Sequence, residues 1–519
     1  MDRSQIDRRS LLRSLAAAGA VTLTRSGLSL AQDASPVARG SGTLTIGKAL
    51  QPVGLDPALV TAAASFEMIA VVYDGLVRLD EEYQPQPGLA ESWETPDDTT
   101  FVFHLRPGVT FHNGQPLTAD DVKFSFERIA NPETASPWAS QFEPIQAIEV
   151  VDPRTVRFVL KQPFGPLLPT LSATYAAIVP QAEVTARGDL QQTMIGTGPF
   201  MVQEMQADTQ ITLVANPRYW EADAPQLAEV VYRILPDEAT RLAAIRTGEV
   251  GLTPLTDTTS VGLADQSDGV SVVTFETTDY YLLGINCQRA PFDNPQVRRA
   301  LSLAVDRQAL LDAVFFGQGS LTGPVVPTLG DWGADPTTLP NVGPDPEQAK
   351  ALLAEAGLGS GMPMTILTSP LYPEFNNIAL VLQQQLAAVG IEVQLDQVEF
   401  GTFVERWSAR DFESFVSFNG SGNDPDRALY PVFHTGGSVN AFQFSDPALD
   451  TLLEEGRTTL DQARRHEIYF DVQRRVADAV PALFLATRVA SFAHRDTVSG
   501  FAPTAVNVWE TLKRTTVSA

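Results

Sequence analysis

The sequence predicts an α/β architecture with more than one hydrophobic core, and three observations carry that reading. The chain has 519 residues, too many for one ordinary core and enough for two to four packed units. Helical and strand-like stretches follow one another with glycine at the change. The apolar-periodic segment from Ile378 to Val389 stops at Gly390, and the alternating Ile391, Val393 and Leu395 follow at once. No repeat of fixed period and no low-complexity tract interrupts this succession.

Each element has a local cause. Thr43-Leu44-Thr45-Ile46 alternates and reads as a first strand, as do Phe101, Phe103 and Leu105 with Val102 and His104 between them. Val150-Val151-Asp152-Pro153-Arg154-Thr155-Val156 reads as a turn between two paired strands. Thr118 with Asp121 forms a capping-box pattern ahead of Val122, Phe126 and Ile129, which share a helix face. Asn294-Pro295 and Asp345-Pro346 each open a helix, because proline suits the first turn. Val297, Leu301, Ala304 and Val305 form the apolar stripe of one; Ala349, Leu352, Leu353 and Ala356 form that of the other, with Gly357 past its end.

The N-terminus has the form of an export signal. Asp7-Arg8-Arg9-Ser10-Leu11-Leu12-Arg13 precedes a short apolar run from Leu15 to Leu23, and Ser29-Leu30-Ala31 supplies small residues for cleavage. The arginine pair is that of the twin-arginine route, so residues 1–31 are expected to be a signal peptide and 32–42 a flexible leader. Cleavage near Ala31 removes five arginines and two aspartates, leaving the mature chain still more acidic than the formal −26 of the whole. Such a field repels polyanions, which excludes nucleic acid as a partner. No later stretch approaches the ~20 apolar residues of a membrane span, so a soluble mature protein is expected. The single cysteine, Cys287, cannot close an internal disulfide and reads as a structural thiol.

Reactive motifs are missing. There is no G-x-S-x-G, P-loop, C-x-x-C or H-E-x-x-H pattern. His104, His112, His434, His466 and His494 are scattered without zinc-ligand spacing, so neither a metal nor another cofactor is expected. Plentiful Asp and Glu leave one enzymatic alternative open, an exported hydrolase using a carboxylate pair.

A longer pattern decides the class. Gly88-Leu89-Ala90-Glu91-Ser92-Trp93 leads through Phe101-Val102-Phe103-His104-Leu105-Arg106-Pro107-Gly108-Val109 to Thr110-Phe111-His112-Asn113-Gly114. Leu117-Thr118-Ala119-Asp120-Asp121-Val122-Lys123-Phe124-Ser125 continues it. This run resembles the signature of the extracellular solute-binding proteins of family 5, receptors of dipeptide, oligopeptide and nickel importers. Ile195-Gly196-Thr197-Gly198-Pro199-Phe200, Asn216-Pro217-Arg218-Tyr219-Trp220 and Phe292-Asp293-Asn294-Pro295-Gln296-Val297 are similar in family order, so the resemblance covers residues 43 to 510. The run from 88 to 125 reads as architecture, with turn glycines, core aromatics and a helix cap, more than as ligand contact.

The resemblance implies a two-lobed periplasmic-binding-protein-like fold, type II in its large family 5 form, with two crossover segments. Lobe I would span 43–278 with 487–519 returning to it, and lobe II 279–486. The chain would cross near Thr277–Tyr281 and return near Ala486–Ser491. Lobe closure on a peptide or similar small organic solute would present a surface that ABC permease subunits, with their ATPases, distinguish from the open form. The protein would act as a monomer, in the periplasm or at the outer face of the membrane. A stand-alone sensing or chaperoning protein is the other alternative. Peptide, opine, sugar and metal chelate remain open as ligands.

Candidate ligand contacts follow from position. Leu50 and Gln51 end the first strand, Tyr280 and Tyr281 lie at the crossing, and Trp332 sits in a Gly/Asp-rich loop. Peptide-binding members place an aspartate in a lobe II loop against the ligand's α-ammonium. The stretch Phe418-Asn419-Gly420-Ser421-Gly422-Asn423-Asp424-Pro425-Asp426 resembles that loop, and anchoring on Asp424-Pro425 sets Ser421 at the aspartate's position. A hydroxyl cannot neutralise a buried ammonium. Either Asp424 or Asp279 substitutes, or the ligand lacks a free α-amino group.

Overall fold

The computed structural model describes residues 40–518; the expected signal peptide and most of the leader lie outside them. A ten-stranded sheet organises the chain. In sequence order the strands of the protein are β1 (Thr43–Lys48), β2 (Val77–Leu79), β3 (Pro85–Pro87), β4 (Ala90–Asp97), β5 (Thr100–Leu105), β6 (Ile145–Asp152), β7 (Thr155–Leu160), β8 (Phe200–Gln206) and β9 (Gln210–Ala215). They continue with β10 (Glu229–Ile234), β11 (Leu252–Leu255), β12 (Val270–Ile285), β13 (Met362–Thr368), β14 (Ile391–Gln397), β15 (Ser414–Gly420), β16 (Ala482–Arg495) and the short β17 (Val498–Ser499) and β18 (Thr516–Val517). The large sheet has the order β14-β13-β15-β12-β16-β11-β1-β10-β9-β8, and a separate four-stranded sheet has the order β4-β5-β7-β6.

β12 and β16 are neighbours at the middle of the large sheet, between the strands expected in lobe I and those expected in lobe II. Residues Val270–Glu276 pair with Val489–Arg495 on the first-lobe side, where Ser491–His494 also pair with β11. Tyr280–Gly284 pair with Ala482–Thr487 on the second-lobe side, where β15 joins through Asp279–Ile285. Between the two halves the register slips, and Thr277, Thr278 and Asp279 have no partner in β16. A ladder interrupted there bends more easily than a continuous one.

The core divides into several clusters. Ile46, Met68, Tyr232 and Trp509 belong to one first-lobe cluster, and Phe103, Phe126 and Phe158 to another beneath the four-stranded sheet. In the second lobe, Ile285, Leu301, Ile366 and Leu382 belong to one cluster, and Tyr280, Phe415, Phe433 and Phe484 to a second. Strand alternation produces these faces: Phe101, Phe103 and Leu105 are buried while Thr100, Val102 and His104 are half-buried.

Most local signals act as expected. The Asp121 carboxylate accepts the Thr118 N–H at 3.0 Å ahead of helix Ala119–Ala130. Helices Pro295–Leu303 and Pro346–Glu355 begin at their prolines, capped by Asn294 and Asp345. Two boundaries differ. The helix read from Ile378 begins at Pro373, where proline suits the first turn and Phe375 is already buried in the core ahead of the polar Asn376 and Asn377. β1 ends at Lys48, so Leu50 and Gln51 fall in the exposed bend beyond it.

Candidate ligand-binding site

A cavity of about 510 Å³ is lined by residues of both expected lobes. On the first-lobe side its wall comes from helix Ala63–Val72 with the following Tyr73 and Asp74, from Arg78 on β2, from the loop around Ser172–Ala177 and from the C-terminal segment reaching Lys513. On the second-lobe side it comes from Thr278 and Asp279 of β12, from Gly420, Gly422 and Asn423, and from Arg427 in helix Pro425–Phe433.

The first-lobe charges answer one another. Arg78 donates to Asp74 Oδ1 at 2.8 Å, to Glu221 Oε1 at 2.6 Å and to the Tyr219 hydroxyl at 2.9 Å. Asp74 Oδ2 accepts from Thr197 Oγ1 at 2.9 Å and from Trp220 Nε1 at 3.0 Å. Lys513 donates to Glu221 at 2.5 Å and pairs with Glu510. Burial alone would raise the Glu221 pKa, but Arg78 and Lys513 outweigh it and hold the carboxyl down at about 2. The guanidinium groups of Arg78 and Arg106 lie 4.7 and 4.4 Å from the Trp220 ring centroid. Beside this network Trp138 and Tyr175 stack with centroids 4.3 Å apart and planes 6° from parallel, and Trp138 Nε1 donates to Val60 O at 3.0 Å.

The second-lobe charges are less fully partnered. Asp279 has one ion-pair contact, to Arg488 at 3.5 Å, and both side chains are 32% exposed. Burial pushes the Asp279 carboxyl pKa up, with Arg488 opposing. Direct bonds tie this side to the first lobe: Asn423 Nδ2 donates to Pro169 O and to Ser172 Oγ, both at 3.0 Å, and Gly165 N–H donates to Arg457 O at 2.8 Å.

The residues named from sequence lie elsewhere in this neighbourhood. Leu50 is exposed, and Gln51 accepts the Asp208 N–H at 2.9 Å on the surface. Tyr280 is fully buried and its hydroxyl accepts from Asn419 Nδ2 at 3.2 Å. Tyr281 stacks on Phe315 at 4.8 Å. Trp332 packs against His466 and Tyr469. Phe418 lies under the Arg488 guanidinium at 4.8 Å. Ser421 is buried, its N–H donates to Thr278 O at 2.8 Å and its Oγ has no hydrogen-bond partner. Asp424 is bound bidentately to Arg465 at 2.6 and 2.8 Å and caps its helix through the Asp426 N–H. These eight are not part of the cavity wall; Asp279, the other acid named as a substitute, is. Sequence reasoning missed Asn423, Arg427 and the Trp138–Tyr175 stack, although Asn423 stands inside the loop it examined.

The profile described as bacterial extracellular solute-binding proteins, family 5, matches residues 84–440. The chain belongs to that family. It is 30% identical to the dipeptide-binding protein of Escherichia coli (strain K12) over 487 residues, covering 87% of this chain and 90% of that one. Among solved structures it is similar to the ABC transporter-associated periplasmic binding protein DppA from Helicobacter pylori in complex with peptide STSA. That likeness has a TM-score of 0.80 at 28% identity, covering 93% of this chain and 99% of that one. It is also similar to AgaA of Agrobacterium tumefaciens R10 in complex with agropinic acid, with a TM-score of 0.79 at 28% identity and coverage of 92% and 99%. The family consists of two-lobed binding proteins, and this chain is the solute-binding component of an ABC-type importer. Among the described residues no helix is long and apolar enough to cross a membrane.

Proposed function

We propose that this protein captures a peptide or similar small organic solute in the cavity between its lobes and delivers it, chemically unchanged, to a membrane permease. The observation that carries the reading is a cavity wall drawn from both sides of the β12–β16 crossing, at a place where the pairing of those strands is broken. Such a joint absorbs a hinge rotation, and the Asn423 and Gly165 bonds then hold the lobes together. Relatives named for dipeptides and for agropinic acid support an organic solute. We assign lobe I to 43–278 with 487–519 and lobe II to 279–486. Cleavage near Ala31 follows export, and the mature protein works as a monomer.

Ligand bound only to the closed form stabilises by mass action, about 2.7 kcal/mol at a hundredfold excess over Kd. Mass spectrometry of ligand released from natively purified mature protein, with small-angle scattering of the emptied and refilled forms, tests this. The expected result is an intact small molecule and a more compact refilled form. Release of a reaction product, or refilling without compaction, would sink the reading.

A further inference from the structure

The hairpin of β2 and β3 carries a residue ill suited to its tip, and the place where that side chain is buried gives the reason. We propose that the hairpin is a strap rooted in lobe I, its tip residue Tyr83 seated in the core of lobe II only while the lobes are closed. The buried Tyr83 hydroxyl keeps that seat reversible. The strap rests on the solute-capture reading above.

The turn is built by Asp80-Glu81-Glu82-Tyr83-Gln84. Tyr83 N–H donates to Asp80 O at 3.0 Å, and Asp80 N–H donates to Gln84 O at 3.1 Å. The Asp80 carboxylate accepts the Glu82 and Gln84 N–H groups at 3.1 and 2.8 Å, and Gln86 Nε2 at 2.6 Å. A three-residue hairpin loop of this kind ends on a left-handed residue, a position that glycine fills without strain. Here the residue is Tyr83, with φ at +60°. A bulky side chain held in that region is strained and persists only where its surroundings over-determine it.

Burial supplies the compensation. Tyr83 is 6% exposed and belongs to the cluster of Tyr280, Phe415, Phe433 and Phe484. Every other buried member of that cluster lies between residues 280 and 484, so the tip of a first-lobe hairpin completes a second-lobe core. Leu79, at the end of β2, is half-buried against the same cluster and also lines the cavity.

The root of the hairpin is fixed elsewhere. Leu76, Val77, Leu89 and Ala90 are buried with Phe103, Phe126 and Phe158. Leu89 and Ala90 donate their N–H groups to Gly75 O and Leu76 O at 3.0 and 2.9 Å. Gly88 permits that approach, since a Cβ there would stand 2.7 Å from Gly75 O. With the root held, parting of the lobes draws Tyr83 out of its seat. Val77, Arg78 and Leu79 line the cavity between root and tip, so a captured solute holds the strap down. The Tyr83 hydroxyl acts the other way. It is buried and has no hydrogen-bond partner among the described residues. Such a hydroxyl forfeits its water in the closed form and regains it on opening. Phenylalanine would keep the ring contacts without that loss, so removing one polar atom should tighten closure.

Two experiments on the mature protein test the strap. N-acetylimidazole, which acetylates accessible phenols, should spare Tyr83 in the natively purified, solute-filled protein and modify it in the emptied form, as read by peptide mass mapping. Protection in both forms, with scattering still reporting compaction on refilling, would overturn the strap and leave solute capture standing. Absence of compaction would overturn solute capture itself. Calorimetry then uses four probes: alanyl-phenylalanine, its C-terminal amide, its N-acetyl form and the doubly blocked compound. Tyr83→Phe should tighten every form that binds by one common factor, roughly tenfold, because apparent affinity follows the closed fraction. Tyr83→Gly, which suits the backbone but has no ring, should weaken them roughly tenfold, again by one factor. If none of the four binds, the compound recovered from natively purified protein is the probe for the same two variants. A Tyr83→Phe protein that binds no more tightly than wild type would overturn the hydroxyl's part. Factors that differ among the probes would make Tyr83 a ligand contact and overturn the strap.

Discussion

The Asp424–Arg465 pair in the second-lobe core and the Asp279–Arg488 contact on the cavity wall lie on either side of one glycine-flanked loop. They share chemistry and little else. Asp424 and Arg465 meet through two bonds of 2.6 and 2.8 Å, each 5% exposed. Asp279 and Arg488 meet through one contact of 3.5 Å, each 32% exposed. A pair closed on itself has little left for a ligand, and its removal is felt as instability. A pair left open to the cavity contributes less to the fold and more to recognition. Sequence distance does not separate the two kinds, because the partners are 41 and 209 residues apart within the same neighbourhood.

The largest expected effect falls on the closed pair. Asp424→Asn leaves Arg465 buried without its charge partner, which costs about 3–5 kcal/mol of stability. Urea denaturation should show that loss, while the calorimetric ranking of capped and uncapped dipeptides stays as in the wild type. A variant of unchanged stability and altered ranking would move Asp424 from the core to the site and break the comparison.

The first-lobe network sharpens the same contrast through pH. The Glu221 pKa lies at about 2 in the folded protein against an ordinary 4.5. A depressed carboxylate contributes stability that is present above the unfolded value and lost as pH falls toward the folded one. At neutral pH that contribution is about 3 kcal/mol. The stability difference between wild type and Glu221→Gln should therefore be constant near neutrality and shrink below about pH 4.5. A difference that holds steady down to about pH 3 would mean that Arg78 and Lys513 act on Glu221 as packing partners only.

What the sequence revealed and what it hid divide along the same line. Local devices were legible: the Thr118 cap, the Asn294-Pro295 and Asp345-Pro346 helix starts, and the turn between β6 and β7 all depend on residues within four positions. The family run from Gly88 to Ser125 placed the fold because turns, caps and core aromatics recur in a fixed order. The cavity wall was harder to see. Leu50 and Gln51 look like the mouth of a strand, but β1 stops at Lys48 and leaves them outside. Tyr280 and Tyr281 stand on β12, where strand alternation and neighbouring helices turn both rings into core. Arg427 was hidden by its own neighbour. Three residues after Asp424 on a helix, it reads as that aspartate's partner. Only the fold brings Arg465 across 41 residues to take Asp424 and leave Arg427 facing the cavity.

A relocation tests whether position or charge decides recognition. Asp279→Asn should weaken uncapped alanyl-phenylalanine about tenfold, or about 1.4 kcal/mol. Adding Ser421→Asp to that variant should recover much of the loss, because Gly420 places the two positions side by side and the Ser421 Oγ has no partner to give up. Ser421→Asp in the wild-type background brings two carboxylates together and should gain less. Recovery in neither background would mean that the ammonium lies away from this loop. Full binding by Asp279→Asn alone would rule out Asp279 as the substitute acid.

The smallest effect concerns the contact that joins the lobes rather than the charges that read the ligand. Asn423 Nδ2 gives both its protons to the first lobe, to Pro169 O and Ser172 Oγ at 3.0 Å. Neither acceptor is charged, and each such bond contributes about 0.5–1.5 kcal/mol net, because water takes its place when the lobes part. Asn423→Ala should therefore favour the open form and weaken every ligand by the same factor, about fivefold for roughly 1 kcal/mol. Folding stability without ligand should hardly change, since both acceptors become solvated on opening. Scattering of the ligand-free variant should report a larger radius than the wild type, and calorimetry with the four dipeptide forms should show one uniform shift. A shift confined to the free-acid probes would place Asn423 among the ligand's own contacts.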